Sequence, residues 1–197
     1  MAGPDIIVVG ASAGGVEALI SIVGGVPSDL PAALFVVLHM RPGTPSGLPD
    51  LLSRSGKLRA SPAEHLQPIQ HGHIYVAPPD RHLVIVGGSV HVTAGPRENG
   101  HRPAIDPLFR TAARSYGRRV VGIVLSGVLD DGTAGLAAVK RHGGLAIVQD
   151  PDDALFPSMP RSAMDHVAVD HVLPAKEIGA LLAELVGQPE EAPTARS

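Results

Sequence analysis

Ile6-Ile7-Val8-Val9-Gly10-Ala11-Ser12-Ala13-Gly14-Gly15, running into the amphipathic segment Val16 to Ile22, decides the fold. Four consecutive β-branched residues without polar alternation predict a strand buried on both faces, and the glycine-bearing loop turns that strand into a helix. A Ser on such a turn is held at the carboxyl edge of a sheet, beside unpaired helix N–H groups, where it can act as a nucleophile. A second apolar run, Leu34-Phe35-Val36-Val37-Leu38, is followed directly by His39. It predicts the next buried strand and sets an imidazole at its end, where it can serve Ser12 as a base.

Outward from these two runs, short apolar segments alternate with helical patterns. Strands are predicted at Asp5 to Val9, Leu34 to Leu38, Ile74 to Ala77, Arg119 to Leu125, Leu145 to Val148 and Val172 to Leu173. Helices are predicted at Gly14 to Val23, Gly47 to Ser53, Asp106 to Tyr116, Thr133 to Arg141, Ser158 to Met164 and Ala175 to Leu185. His82 to Val86 and Ser89 to Thr93, joined by Gly87-Gly88, read as a hairpin with a two-residue turn. This alternation predicts an α/β fold: a three-layer, doubly wound, mainly parallel sheet with helices on both faces. The hairpin is expected as an antiparallel insertion at an edge. Residues 1–186 read as one domain, and the Pro-, Glu- and Ala-rich stretch 187–197 as a disordered tail.

Composition narrows the function. The 197 residues are 44% hydrophobic but only 3% aromatic, with no Trp, so there is no stacking platform for bases. Net charge is −3 and the basic pairs Arg118-Arg119 and Lys140-Arg141 are isolated, which argues against nucleic acid. The absence of Cys excludes disulfides, thiolate metal sites and a Cys nucleophile. No apolar run suits a bilayer span and the first residues lack a signal core, so a cytoplasmic location is expected. Of ten His, only His71 and His73 have metal-ligand spacing, and with no third ligand evident no metal is expected.

Three predicted strand ends carry capable side chains: Ser12, His39, and the loop Ser126-Gly127-Val128-Leu129-Asp130-Asp131-Gly132. A Ser hydroxyl needs an imidazole to take its proton, and the imidazole needs a carboxylate to fix its tautomer. Asp131 is expected to supply it in preference to Asp130. The N–H of Ala13 and a group near Val128 are expected to bind an oxyanion. The chain order Ser, His, Asp differs from the Ser, Asp, His order of α/β-hydrolases, despite the Gly-x-Ser-x-Gly match. The glycine loop also suits a dinucleotide site, but that reading wants an acidic residue ending the second strand, where this chain has His39-Met40.

The stretch from about Asp5 to Leu185 resembles the catalytic domain of the CheB-type chemoreceptor glutamate methylesterases. The matching blocks are Gly10 to Gly15, His39-Met40-Arg41-Pro42-Gly43, Tyr75 to His82, His101-Arg102-Pro103-Ala104-Ile105-Asp106, Leu125-Ser126-Gly127, Asp131-Gly132-Thr133-Ala134-Gly135 and Met159-Pro160-Arg161. The resemblance implies Ser12 as nucleophile, His39 as base and Asp131 as orienting carboxylate. It implies hydrolysis of γ-glutamyl methyl esters on the cytoplasmic helical bundle of chemoreceptors, and deamidation of certain receptor Gln residues, without metal or cofactor.

The chain departs from the family pattern in three ways. Ala13 stands where Thr is common after the nucleophile. Val128 and Leu129 stand where Met and Gly are usual, and a glycine permitting positive φ there would make Leu129 impose a different loop path. Only four residues precede the first predicted strand, where relatives usually carry a receiver domain, so a stand-alone form or an excised domain is expected. Arg102, Arg41 and Arg161 are candidates to pair with acidic groups of the substrate. Two other function classes stay open: a catalytically weakened scaffold that binds a receptor, and a nucleotide-binding module. The oligomeric state is not readable.

Overall fold

The computed structural model describes residues 3–41, 43 and 45–186; the expected disordered tail lies outside them. In chain order the elements are β1 (Ile6–Ala11), α1 (Gly15–Gly25), β2 (Ala33–Leu38), α2 (Leu48–Ser55), β3 (Arg59–Pro62), β4 (Gln67–Pro68) and β5 (His73–Val76). They continue with β6 (His82–Val86), β7 (Ser89–Thr93), α3 (Ile105–Tyr116), β8 (Val120–Val124), α4 (Thr133–Arg141), β9 (Leu145–Gln149), α5 (Ser158–His166), β10 (His171–Leu173) and α6 (Ala175–Leu185).

Seven strands form one parallel sheet in the order β10-β9-β8-β1-β2-β5-β3. The chain winds from β1 toward β3, then returns to β8 on the other side of β1. That reversal opens a crevice above the carboxyl ends of β1, β2 and β8, the place where doubly wound sheets bind ligands.

β1 illustrates why its sequence lacks alternation. Ile6 and Val8 pack into the core beneath α3, α4 and α5, beside Leu108, Phe109, Leu136 and Met159. Ile7, Val9 and Ala11 pack into the opposite core with Leu19 and Ile22 of α1, Leu52 of α2 and Ile178 and Leu182 of α6. Each such fully buried side chain contributes roughly 1.5–3 kcal/mol.

The hairpin has the predicted bounds, and Gly87 and Gly88 both take positive φ, 57° and 83°, as a type I′ turn requires. It is not at an edge of the main sheet. With β4 it forms a separate antiparallel sheet, β4-β7-β6. Leu83, Ile85 and Val90 join the core on the α3 side. Thr111 Oγ1 of α3 accepts from the Ile85 N–H at 3.1 Å, and Ser115 Oγ donates to Ile85 O at 3.2 Å. Helix contacts therefore hold this small sheet where an edge strand would have been needed.

The edge strand beside β5, β3, carries no hydrophobic signal. Arg59-Ala60-Ser61-Pro62 is held by parallel pairing with β5, and by Ser53 Oγ, which bonds both the N–H and the carbonyl of Ala60. Pro62 suits an edge, where a missing N–H is tolerated.

Phe109 is wholly buried between α3, α4 and β8. Phe109→Ala is expected to lower stability by about 3–5 kcal/mol. Urea unfolding should show the midpoint falling with the denaturant slope unchanged.

Candidate active site

Ala11 and Leu38 are register partners at the ends of β1 and β2, so Ser12 and His39 leave the sheet side by side. The His39 N–H donates to Ala11 O at 3.0 Å, and the Ser12 N–H to Ser126 O, beyond β8, at 3.0 Å. Ser12 opens a tight turn closed by the Gly15 N–H on Ser12 O at 3.0 Å. Gly14 occupies that turn at φ 69° and has no room for a side chain, because an added Cβ would lie 2.8 Å from both Leu155 Cβ and Ser126 Oγ. Ser126 Oγ ties the loop down, donating to Ala13 O at 2.8 Å and accepting from the Phe156 N–H at 2.9 Å.

His39 Nε2 and Asp131 Oδ2 are 2.6 Å apart, with side-chain exposures of 5% and 1%. Facing a carboxylate, Nε2 carries the proton, which leaves Nδ1 with its lone pair. Nδ1 is buried and has no hydrogen-bond partner. The Ser12 hydroxyl likewise has none among the described residues, so each group is free to engage the other when a substrate arrives; such bonds commonly tighten only in the complex. Asp130 is exposed, and its carbonyl accepts from the Thr133 N–H at 3.1 Å. The carboxylate brought to His39 is that of Asp131.

Asp131 is heavily solvated by the protein itself. Oδ2 also accepts from the Ile105 N–H at 2.7 Å. Oδ1 accepts from Asn99 Nδ2 at 2.8 Å and from the Asp106 N–H at 3.2 Å. Two of these donors are the first N–H groups of α3, where the helix dipole favours an anion. Burial alone would raise the Asp131 carboxyl, but the hydrogen bonds from His39, Ile105 and Asn99 outweigh it and hold it below the usual carboxylate range. Asp106 is pushed the other way, by burial first and by the Asp131 charge second. His101 stacks on the His39 ring with centroids 3.6 Å apart and planes 7° from parallel. Burial, and then the charge of His39, lower the His101 imidazole, which favours its neutral form.

Gly10 shapes this arrangement from below. A Cβ there would collide with the Ile105 side chain, its Cδ1 at 2.8 Å and Cγ1 at 2.9 Å. The missing side chain lets the start of α3 settle against β1 and present its N–H groups to Asp131.

Two backbone N–H groups at the rim, those of Ala13 and Val128, have no acceptor among the described residues. The neighbouring Gly127 is spoken for: its N–H donates to Phe156 O at 2.9 Å. Leu129 corrects an expectation. It does not divert the loop but takes the left-handed conformation itself, at φ 66°, with its side chain 66% exposed. Leu bears there a backbone geometry that glycine adopts without strain.

The three arginines are placed differently. Arg102 is spent on the fold: Nε and Nη2 each reach Asp80 Oδ1 at 2.9 Å, and Nη1 donates to Gly95 O at 2.9 Å. Arg161 is exposed and lines a cleft of about 450 Å³ with Val128, Phe156 and Ser158. Arg41 is exposed two residues beyond His39. Sequence reasoning passed over Asn99 and Asp106 as site residues, although the Asn99-Gly100 pair is itself a hairpin-turn signal. No group of three or more His, Cys, Asp or Glu among the described residues could hold a metal ion.

A family model described as CheB methylesterase matches residues 7–182. The chain belongs to the CheB methylesterase family. It is 39% identical over 181 residues to a protein-glutamate methylesterase/protein-glutamine glutaminase of Anaeromyxobacter dehalogenans, covering 92% of this chain and 53% of that relative. A Methanosarcina mazei protein of the same name is 34% identical, with 52% of its length covered, so the chain spans about half the length of these curated relatives. A Leptospira interrogans relative is 36% identical with 94% of its length covered. The crystal structure of the Thermotoga maritima CheB methylesterase catalytic domain superposes with a TM-score of 0.88 at 34% identity, covering 93% of this chain and 99% of that one. The parallel sheet with its small antiparallel companion is thus the CheB catalytic-domain fold.

Because the folded Asp131 carboxyl titrates below its unfolded value, its charge contributes stability above about pH 4, and this is lost as pH falls through the folded value. Asp106, raised, contributes with the opposite sign. Asp131→Asn removes the first contribution and leaves of the second only the part that burial causes. Between about pH 5 and 3 its stability in urea titrations should fall less steeply than that of the wild type.

Proposed function

We propose that this chain is a serine hydrolase that removes methyl esters from glutamate side chains of chemoreceptors, and deamidates receptor glutamines by the same chemistry. The observation that carries this reading is the buried 2.6 Å His39–Asp131 bond, which leaves an unpartnered imidazole nitrogen at the strand end beside Ser12. The family's named activity and the two free rim N–H groups support it.

Ser12 Oγ attacks the ester carbonyl while His39 Nδ1 takes its proton, and Asp131 stabilises the imidazolium that forms. The carbonyl oxygen becomes an oxyanion, received by the N–H groups of Ala13 and Val128 in place of water. Collapse expels methoxide, which takes the proton back from His39 and leaves as methanol. Water then attacks the acyl-enzyme with His39 as base again, releasing the glutamate carboxylate and restoring the Ser12 hydroxyl. Glutamine follows the same course with ammonia as leaving group. None of these steps calls on a metal or cofactor.

Both departures near the oxyanion spare the donors. Ala13 and Val128 act through the backbone, which their side chains do not alter, and Leu129 keeps a left-handed conformation. For the substrate, a helical bundle with acidic flanks, the exposed Arg161 on its cleft and Arg41 beside the base are the available cations. Arg102 is a brace, its guanidinium committed to Asp80 and Gly95. A receptor bundle of this kind places the reaction in the cytoplasm. Among the described residues no helix is long and apolar enough to cross a membrane.

Ser12→Ala and His39→Ala should each lower methanol release from methylated receptor membranes by about 10³-fold or more, since the three groups act as a unit. Asp131→Asn should also cost heavily, while Asp130→Asn changes turnover by no more than about twofold. A fluorophosphonate should label Ser12; an unlabelled Ser12 with near-normal methanol release from the Ala variants would overturn the assignment. Arg102→Ala should lower thermal stability and leave turnover largely intact.

A further inference from the structure

Glu98-Asn99-Gly100-His101 is a tight turn. The Glu98 N–H donates to His101 O at 3.1 Å and the His101 N–H to Glu98 O at 2.8 Å. Asn99 and Gly100 both have positive φ, 51° and 78°, the geometry that favours an Asn-Gly pair. The turn delivers two side chains to one place. His101 lies flat on His39, and the Asn99 amide reaches between two carboxylates. Its Nδ2 is 2.8 Å from Asp131 Oδ1 and 2.8 Å from Asp106 Oδ2. An amide nitrogen has two N–H groups, so one serves each carboxylate. Asp106 Oδ1 meanwhile accepts from the N–H groups of Gly132 at 3.0 Å and Gly135 at 2.7 Å, fixing the segment that follows Asp131.

We propose that Asn99 is a positioning residue: by donating one N–H to each of two neighbouring buried carboxylates, it holds Asp131 oriented and charged toward His39. Two carboxylates this close repel each other, and without a shared donor the pair relieves the repulsion by taking up a proton. A proton on that pair removes the acceptor that fixes the His39 tautomer. The raised titration of Asp106 beside the lowered one of Asp131 fits this division of labour. Several other titratable groups surround the pair. His39 faces it from the end of β2, and His101, with Arg97 near it, from the turn. Asp130 and His166 line a cleft of about 270 Å³ that also borders Asn99 and Asp106. Glu98 is held by Arg110 at 2.9 Å.

The inference rests on Ser12 and His39 acting as proposed above, so it is read on two signals. One is the rate of Ser12 labelling by a fluorophosphonate as a function of pH. The other is the titration of the Asp131 and Asp106 carboxyls followed by carbon NMR, which needs no turnover. Asn99→Gly preserves the turn, because Gly-Gly suits it equally, and removes only the amide. It should slow labelling about tenfold or more at neutral pH and move the acid midpoint of both signals upward. Asn99→Asp, also suited to the turn, adds a third carboxyl and should move the midpoint further up; it carries the test should the Gly variant not fold. Asn99→Gly combined with Asp106→Asn removes the second charge and should bring the midpoint back down. A purely structural turn residue would change the melting temperature and leave the midpoint where it was. Unchanged midpoints in folded Asn99→Gly and Asn99→Asp would overturn the proposal. Failure of the wild type to be labelled would instead overturn the proposed function, with the carboxyl titration still deciding the role of Asn99.

Discussion

One buried carboxylate organises this rim of the molecule. Asp131 accepts from His39 after β2, from the first two N–H groups of α3, and from Asn99 on the turn before that helix. Stranded in apolar surroundings, such a charge would cost several kcal/mol. Here four donors from separated parts of the chain replace its water. The same bonds that make the ion tolerable also fix where His39 can point. Solvation of the charge and aiming of the imidazole are one interaction seen from its two ends.

The sheet supplies the coordinates for this. Parallel pairing of β1 with β2 and of β1 with β8 brings Ser12, His39 and the 126–131 loop to adjacent strand ends. That arrangement follows from runs too apolar to face water on either side, which is why Ile6 to Val9 and Leu34 to Leu38 were readable directly. His39 was legible because it follows such a run immediately, and Ser12 because it sits on the glycine-bearing loop that ends one. Asp131 was preferred to Asp130 at the third strand end and again by the family resemblance, and what divides them physically is burial: one faces solvent, the other the start of α3.

The illegible parts share a cause. β3 is polar and proline-ended, and exists because β5 offers it a ladder and Ser53 a pair of bonds. The separate three-stranded sheet depends on where α3 lies, which no local pattern encodes. Asn99 was passed over, since its significance lies in two carboxylates 7 and 32 positions away. Leu129 misled because a β-carbon makes positive φ unfavourable without forbidding it; a largely exposed side chain in a loop removes much of the crowding.

Gly10 and Ile105 occupy one volume between them, shared out as nothing on the strand and four carbons on the helix. The strand that carries the proposed nucleophile and the helix that cradles the carboxylate are consequently not free to drift apart in evolution. Any lineage that acquires a larger residue at position 10 must trim position 105 in step, and a search for paired substitutions among relatives should find these two positions changing together or not at all.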